Sequence, residues 1–297
     1  MRRQPGAGNQ LTRKEKLTNE QEVRRAITVH ENMKNGDTDI SRAGAHALRI
    51  GGDVLKRHYG NVRSVSYKGK LDLVTDVDHR AEETVVGFLE RVFPDFGILA
   101  EEREEIGARS GFRWILDPLD GTTNYAHGYP FFCVSLACQK DDAVVWGGVY
   151  DPLRDELFTA ARGGGAFLNG ARIAVSAVDR LDRAMLCTGF PYDVHDSREN
   201  NLNHFAAFVK TAQAVRRDGA AALDLCYVGA GRFDGFWEMK LKPWDMAAGC
   251  LVVQEAGGVV SDFDGNPLGL DRGAVLAAGS MLHPAMIAVL RASADDA

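Results

Sequence analysis

One stretch of this sequence decides how the chain is organised: Trp114-Ile115-Leu116-Asp117-Pro118-Leu119-Asp120-Gly121-Thr122-Thr123-Asn124-Tyr125. Its first three residues form a short apolar run, which predicts a buried β-strand. We expect the strand to end at Pro118, because proline has no N–H to donate to a neighbouring strand. Gly121 permits a sharp turn, and Thr122 stands where a helix would begin. The stretch therefore predicts a strand, a turn and a helix, with two aspartates at the junction.

The two aspartates, Asp117 and Asp120, indicate a cation site. Carboxylates at the end of a buried strand repel each other and resist the loss of water unless a cation neutralises them. Oxygen ligands suit Mg²⁺, Mn²⁺ or Ca²⁺ rather than zinc. The backbone N–H groups from Gly121 to Thr123 predict an anion site beside it, suited to phosphate. A D-P-x-D-G string alone is typical of an ordinary turn, but the longer string D-P-L-D-G-T-T-N-Y indicates metal-assisted phosphoryl chemistry.

Three further motifs accompany this stretch. They are Asp72-Leu73-Val74-Thr75-Asp76-Val77-Asp78, Ala100-Glu101-Glu102, and Trp244-Asp245-Met246-Ala247-Ala248-Gly249. Together the four motifs resemble those of the inositol monophosphatase family, a group of Mg²⁺-dependent, lithium-sensitive phosphatases. They occur in the family's order and at similar spacings, and the resemblance covers about residues 40 to 293. The chain departs from the family at Ala100, where glycine is usual, and at Ala220, where a hydroxyl residue is usual.

The resemblance and the pattern of elements predict the fold class. Antiparallel strands are predicted between residues 131 and 160, and strands alternate with helices after about residue 175. We expect an α+β or α/β protein, a layered αβαβα sandwich of the sugar-phosphatase type with two lobes. Residues 1–39 are predicted to be a leader, partly disordered; residues 40–175, an N-terminal α+β lobe with most metal ligands; and residues 176–297, a C-terminal α/β lobe with Asp245 and the substrate contacts.

The site residues follow from the resemblance, position by position. The cofactor would be Mg²⁺, as two or three ions, with Mn²⁺ as a substitute. Its implied ligands are Glu101, Asp117, the Leu119 carbonyl, Asp120 and Asp245. Glu101 and Thr122 would orient the attacking water, and Asp78 would hold Thr122. The implied substrate contacts are Asp120, Gly121, Thr122, Ala221, Glu238 and Asp245, and Asp224 is a further candidate to face the ring.

The implied activity is hydrolysis of myo-inositol monophosphate to inositol and phosphate by metal-activated water. Nucleotide 3′-phosphatases of the superfamily tend to have D-G-T-K, whereas this chain has Thr122-Thr123-Asn124, which favours the inositol branch. Fructose-1,6-bisphosphatase, histidinol-phosphatase and nucleotide 3′-phosphatase activities stay open as alternatives. So does a catalytically idle regulatory binding protein, although such a protein would be expected to lose at least one of the four carboxylates.

Composition limits the partners. The formal net charge of −6 argues against a nucleic-acid partner, whereas bound metals would still allow an anionic substrate. No secretory signal or membrane-spanning run is evident, so we expect a cytoplasmic protein without a membrane partner. The family resemblance suggests a homodimer. Five widely spread cysteines without a C-x-x-C pair predict reduced core residues: Cys133, Cys138, Cys187, Cys226 and Cys250.

Several local expectations complete the sequence-based description. Ser41 and Asp78 are predicted to begin helices. Residues 197–213 are predicted to form a helix with its apolar side chains inward, namely Leu202, Phe205, Phe208 and Val209. Four glutamates are interpreted as surface charge: Glu82, Glu83, Glu104 and Glu105.

Overall fold

The computed structural model describes residues 36–61, 65–67, 73–271 and 273–294. By its internal contacts the chain divides into Met1–Asp39 and a compact unit of Ile40–Ala297. The predicted leader therefore lies almost entirely outside the described residues, and its disorder stays a prediction. In the described part of the chain, no helix has the length and apolar character needed to cross a membrane.

The described residues form seven α-helices and fourteen β-strands, with one 3₁₀ turn at Leu181–Arg183. In chain order they are α1 Gly36–His58, β1 Val65–Tyr67, β2 Leu73–Thr75, α2 Asp76–Val92, β3 Gly97–Ala100, β4 Phe112–Asp120, α3 Thr122–Ala126, β5 Cys133–Lys140, β6 Ala143–Asp151, β7 Glu156–Ala161, β8 Gly165–Leu168, β9 Ala171–Arg172, β10 Met185–Thr188, α4 Leu202–Thr211, β11 Ala214–Arg216, α5 Ala221–Gly229, β12 Gly235–Glu238, α6 Pro243–Glu255, β13 Gly258–Ser261, β14 Val275–Gly279 and α7 His283–Ala294.

Two large sheets organise these strands. The first has seven strands in sequence order, β3 to β9. β3 and β4 run parallel, and each later pair is antiparallel. The second has the order β11-β10-β12-β14-β13, with β10 parallel to both of its neighbours. β1 and β2 form a separate antiparallel pair. The predicted antiparallel run and the later alternation of strands and helices are thus both present.

Helices cover both faces of each sheet. α5 and α6 pack on each other between the sheets, α6 against β5 and β6, and α5 against β12. α2 packs on β4 from the other side, and α4 and α7 lie outside the second sheet. Gly147 and Gly148 show how closely the layers approach: an added Cβ would crowd Ala248 of α6 at the first position and Leu48 of α1 at the second, since successive strand residues face opposite sides. The chain is therefore an αβαβα sandwich, and the predicted fold class is confirmed.

The division into two lobes near residue 175 stays a prediction. The first sheet ends at Arg172 and the second begins at Met185, while residues 40–297 form one compact unit. All five cysteines are free and buried, as the sequence predicts.

The strand that carries the central motif does not end at Pro118. β4 continues to Asp120, but its register with β5 shifts between Asp117 and Asp120, and Asp120 pairs with Cys133. A bulge lets the strand pass a residue that cannot donate a hydrogen bond. The irregularity bends the strand at the two aspartates.

Three helix predictions also need correction. α1 begins at Gly36 rather than Ser41, and α2 begins at Asp76, with Thr75 as its N-cap and Asp78 in its first turn. α4 is shorter than predicted, and its side chains Leu202 and Val209 are 50% and 54% exposed. The physical reason is that α4 is an outer helix, which buries only the face around Phe208.

Candidate active site

Three elements bring four predicted ligands together. Glu101 follows β3, while Asp117 and Asp120 lie at the end of β4. Because β3 and β4 are parallel neighbours, their carboxyl ends lie at the same edge of the sheet. Asp245 comes from the first turn of α6, which packs against this sheet. The fold thus brings together side chains that are far apart in sequence, the most distant pair being Glu101 and Asp245, 144 residues apart.

Backbone contacts fix the start of α6. The N–H of Lys242 donates to Asp245 Oδ2 at 2.6 Å, which closes the first turn. Pro243 occupies the start of the helix, where its missing N–H costs nothing. Ser135 of β5 donates from its hydroxyl to the Trp244 carbonyl at 3.1 Å. The helix start, and Asp245 with it, is therefore held against the first sheet.

Asp120 links the first sheet to α5. The N–H of Ala222 donates to Asp120 Oδ2 at 2.7 Å, and the Cys133 thiol approaches the same oxygen at 3.6 Å. Ala220 is the N-cap of α5 and provides no side-chain hydrogen bond. The carboxylate of Asp120 therefore takes the place of the missing cap and faces the positive end of the helix dipole.

Asp117 is the most enclosed member of the cluster. Its side chain is buried, and the N–H of Leu119 donates to its Oδ1 at 2.9 Å. Burial raises its pKa well above the ordinary value, and the neighbouring charges of Glu101, Asp120 and Asp245 raise the pKa further. Each of the three aspartates thus has one oxygen anchored by a backbone N–H, which leaves its second oxygen for a ligand.

The pKa values of Asp120 and Asp245 are raised as well. Burial raises the pKa of Asp120 to about 6, against the hydrogen bonds from α5. Burial raises the pKa of Asp245 well above the ordinary value, and Asp120, Glu101 and Glu238 add to the increase while the Lys242 N–H opposes it. These carboxylates disfavour one another's ionisation, and a bound cation would offset the repulsion between them.

The carboxylates of the described residues do not form a complete cage for a metal ion. Among the described residues, no three His, Cys, Asp or Glu side chains gather closely enough to enclose a metal ion by themselves. Mg²⁺ tolerates such a site, because it usually keeps several waters and binds one or two carboxylates together with substrate phosphate. The oxygen-only donor set therefore fits that ion without a full cage of protein ligands.

Thr122 and Asp78 form a hydrogen-bonded pair beside the cluster. The Thr122 hydroxyl lies 3.0 Å from Asp78 Oδ1 and 2.9 Å from the Leu119 carbonyl, and it donates to one of these oxygens at a time. Asp78 Oδ2 accepts from the Thr75 N–H at 3.0 Å and from the Thr75 hydroxyl. Burial raises the pKa of Asp78, although its hydrogen bonds act in the opposite direction. The contact is present; its role in catalysis stays a prediction.

Gly121 has two reasons to be glycine. Its φ is +91°, in the left-handed region. An added Cβ would also lie 3.0 Å from the Phe131 carbonyl oxygen and 3.3 Å from the Gly219 carbonyl oxygen. The turn after Asp120 is thus packed against the segment that leads into α5, whose first residue is the predicted substrate contact Ala221.

Glu238 ends β12 within electrostatic reach of the carboxylate cluster. Burial raises its pKa to about 8, with Arg217 opposing the increase and Asp120 adding to it. Asp224 lies near it on α5: Glu238 contributes to raising the pKa of Asp224, mainly raised by burial. Its Oδ1 is buried without a hydrogen-bond partner. Both carboxylates also interact electrostatically with Asp120 of the cluster.

Glu82 is a supporting residue that the sequence interpretation missed. The prediction of a surface charge is wrong here: Glu82 is buried, accepting from the Glu102 N–H at 2.9 Å and from Arg103 Nε at 2.8 Å. It thereby ties α2 to the turn that carries Glu101. Its spacing from Val85 could have signalled an inward position on the helix. The other three glutamates of that prediction are exposed, as expected: Glu83, Glu104 and Glu105.

The layered sandwich and its carboxylate cluster define a protein of the sugar-phosphatase class. The sequence profile of the inositol monophosphatase family matches residues 37–295. An inositol-1-monophosphatase of Synechocystis sp. is 45% identical over 237 residues, covering 79% of this chain and 83% of that protein. The Nus factor SuhB of Pseudomonas aeruginosa is 44% identical over 252 residues, covering 82% of this chain and 93% of that protein.

Comparison with solved structures points to the same family. The crystal structure of the extragenic suppressor protein suhB from Bartonella henselae has a TM-score of 0.81 at 41% identity, covering 85% of this chain and 98% of that one. The chain belongs to the inositol monophosphatase family and is an enzyme of the phosphatase class. The family is generally metal-dependent, in keeping with the carboxylate cluster.

Proposed function

We propose that this protein hydrolyses myo-inositol monophosphate to myo-inositol and inorganic phosphate with Mg²⁺ as cofactor. The observation that carries the proposal is the cluster of four carboxylates, three of which are anchored by backbone N–H groups. The Synechocystis relative, named for this activity, supports the choice of substrate.

The proposed cofactor is Mg²⁺, as two or three ions, with Mn²⁺ as a substitute. The residues that would hold it are Glu101, Asp117, the Leu119 carbonyl, Asp120 and Asp245. When bound, the cation offsets the charge of the carboxylates and of the phosphate, and it makes water a better nucleophile at neutral pH.

The residues around the cluster supply the remaining chemistry. Glu101 would take a proton from the attacking water. Thr122 would hold that water, because its hydroxyl is already oriented by Asp78 at 3.0 Å. The N–H groups at Gly121 and the start of α3 would bind phosphate oxygens, since the first N–H groups of a helix have no partner within it.

The leaving group would lie along α5 and β12. Asp120, Ala221, Asp245 and Glu238 are the proposed contacts to ring hydroxyls. A cation bound at Asp120 would offset the charge that helps to raise the pKa of Glu238 and would favour its ionised form. A hydrogen bond to a charged carboxylate contributes roughly 1.5–3 kcal/mol, or about 10- to 150-fold. We therefore predict that Glu238→Gln lowers kcat/KM for inositol 1-phosphate by that factor and barely changes hydrolysis of p-nitrophenyl phosphate, which has no ring hydroxyls. Equal losses on both substrates would contradict this role.

A phosphate-release assay tests the proposal. The substrates are inositol 1-phosphate, fructose 1,6-bisphosphate, histidinol phosphate and adenosine 3′,5′-bisphosphate, each with Mg²⁺, with Mn²⁺, with a chelator, and with Mg²⁺ plus Li⁺. We expect the highest kcat/KM on inositol 1-phosphate, activity that depends on the metal, and inhibition by Li⁺. A clear preference for another of the four substrates would replace inositol phosphate, and turnover in chelator would refute the metal proposal.

One alternative has independent support. The Pseudomonas aeruginosa relative is named a Nus factor, which supports a regulatory binding role beside catalysis as the second candidate. The undamaged carboxylate cluster favours catalysis, because a protein kept only for binding would be expected to lose ligands. We also propose a homodimer and a cytoplasmic location; the five free, buried cysteines support the latter.

A further inference from the structure

The side chain of Glu238 lies directly against the backbone of Gly189. A Cβ added at Gly189 would overlap the carboxylate carbon and both carboxylate oxygens of Glu238. The φ of Gly189 is not in the left-handed region, so the backbone itself does not demand glycine there. What demands it is the space that the Glu238 carboxylate occupies.

A buried hydrogen-bond network holds both sides of this contact. Asn201 donates from Nδ2 to the Gly189 carbonyl at 2.6 Å and to the Thr188 hydroxyl at 2.9 Å. The Trp237 ring donates from Nε1 to Asn201 Oδ1 at 2.8 Å, and the Thr188 hydroxyl donates to the Trp237 carbonyl. Thr188 and Trp237 are also paired residues of β10 and β12. The residues next to Gly189 and next to Glu238 are thus joined through one asparagine.

This network makes the relation between the two strands rigid. Asn201 is 3% exposed and adopts a left-handed backbone with φ of +69°, a conformation that asparagine tolerates better than most residues. Each polar atom of its amide has a buried partner, and a fully satisfied buried network fixes a single arrangement. The Glu238 carboxylate therefore packs against a fixed surface, which is the backbone of Gly189.

We propose that Gly189 is a positioning residue that sets the specificity of this site: the absence of a side chain there lets Glu238 reach the hydroxyls of a polyhydroxylated leaving group. This rests on the proposed function, in which Glu238 faces the leaving group. The atoms that an added methyl group would displace are the end of a flexible side chain, so the fold tolerates the change while the carboxylate moves. Gly147 differs, because a methyl group there would press on the backbone of Ala248.

The experiment compares Gly189→Ala with Gly107→Ala in the full chain. Gly107 is a matched control, since an added Cβ there has no atom within 4 Å. We expect Gly189→Ala to lower kcat/KM for inositol 1-phosphate by about 10- to 150-fold, mainly through KM, and to change hydrolysis of p-nitrophenyl phosphate by less than about twofold. Gly107→Ala should match the wild type on both substrates.

A double-mutant cycle separates positioning from a structural effect. In a Glu238→Ala background the overlapping carboxylate is gone, so adding Gly189→Ala should change kcat/KM by less than about twofold. Full additivity of the two changes, or equal losses on both substrates for Gly189→Ala alone, would overturn the proposal.

A crystal structure of Gly189→Ala without substrate makes the proposal independent of the substrate assignment. We expect the Glu238 carboxylate to leave its place while the backbone of β10 and β12 stays fixed. An unmoved carboxylate would overturn the positioning role. If the wild type prefers a different substrate, the proposed function fails, while the displaced carboxylate and the cycle on the preferred substrate still decide the role of Gly189.

Discussion

Asp120→Asn should stabilise the metal-free protein while abolishing its activity. Asparagine has nearly the same shape, and its side-chain oxygen can still accept the 2.7 Å hydrogen bond from the Ala222 N–H. The substitution therefore keeps the link to α5 and removes only the negative charge. The charge of Asp120 is one of the causes that raise the pKa of Asp117 and of Asp245. Its loss therefore also makes ionisation of these two carboxyl groups less costly.

The expected magnitude follows from the pKa of Asp120. The structure raises this pKa from 3.8 to about 6, and the ionised carboxylate at neutral pH then costs on the order of 3 kcal/mol of folding free energy. For a chain of this size that amounts to about 6–12 °C in melting temperature. Because the pKa is higher in the folded state, protonated Asp120 contributes its full share of stability below about pH 4. That share is lost as the pH rises through about 6, where the carboxylate of the folded protein ionises.

The assay is thermal unfolding in chelator at about pH 4 and about pH 7.5, with phosphate release measured in Mg²⁺. The Asn variant should gain stability over the wild type at the higher pH, and the gain should nearly disappear at the lower pH. Asp142→Asn, at an exposed turn position, is the control and should show neither effect. Equal or lower stability of Asp120→Asn at the higher pH, or near-normal turnover, would refute the reasoning.

Three further predictions concern other parts of the chain. Thr122→Val, which removes the hydroxyl bonded to Asp78, should lower kcat by about 10²- to 10⁴-fold, and Thr122→Ser should restore most of it; a fully active valine variant would exclude the role. Glu82→Ala should weaken Mg²⁺ binding by about 10- to 100-fold in calorimetry and lower the melting temperature, whereas exposed Glu83→Ala should do neither. Removal of residues 1–17 should leave turnover and melting temperature unchanged, because that segment has little apolar surface to bury; a drop of several degrees would contradict this.

The sequence predicted well what short-range rules determine. An apolar run followed by two aspartates, a glycine and a threonine correctly indicated a strand, a turn and a helix start. The order of motifs predicted that strand ends and one helix start would carry the carboxylates. Bulge formation was missed, because a proline that leaves a strand and a proline that sits in a bulge look the same in sequence.

Short-range rules could not predict contacts between residues that are distant in sequence. Glu82 reads as a surface residue until the fold places Arg103, which is 21 residues further along, within 2.8 Å of it. Gly189 carried no signal at all, since its importance depends on the register that pairs Thr188 with Trp237 and so places Glu238 over its backbone. The roles of Glu82 and Gly189 thus depend on contacts with residues that are distant in sequence and become neighbours only in the folded chain.

The departure at Ala220 illustrates the same point and has a consequence for the site. In the sequence, Ala220 is visible only as a position that lacks the hydroxyl residue usual in the family. In the structure Ala220 is the N-cap of α5, and the cap is supplied instead by Asp120 from the end of β4. A carboxylate there binds the N–H groups of α5 more strongly than a neutral hydroxyl would, because the bond is charge-assisted and aligned with the helix dipole. The first turn of α5, which carries the proposed contact Ala221, is thus oriented by one oxygen of a proposed metal ligand, so a cation bound at the other oxygen would be linked to the proposed leaving-group contacts through this one side chain.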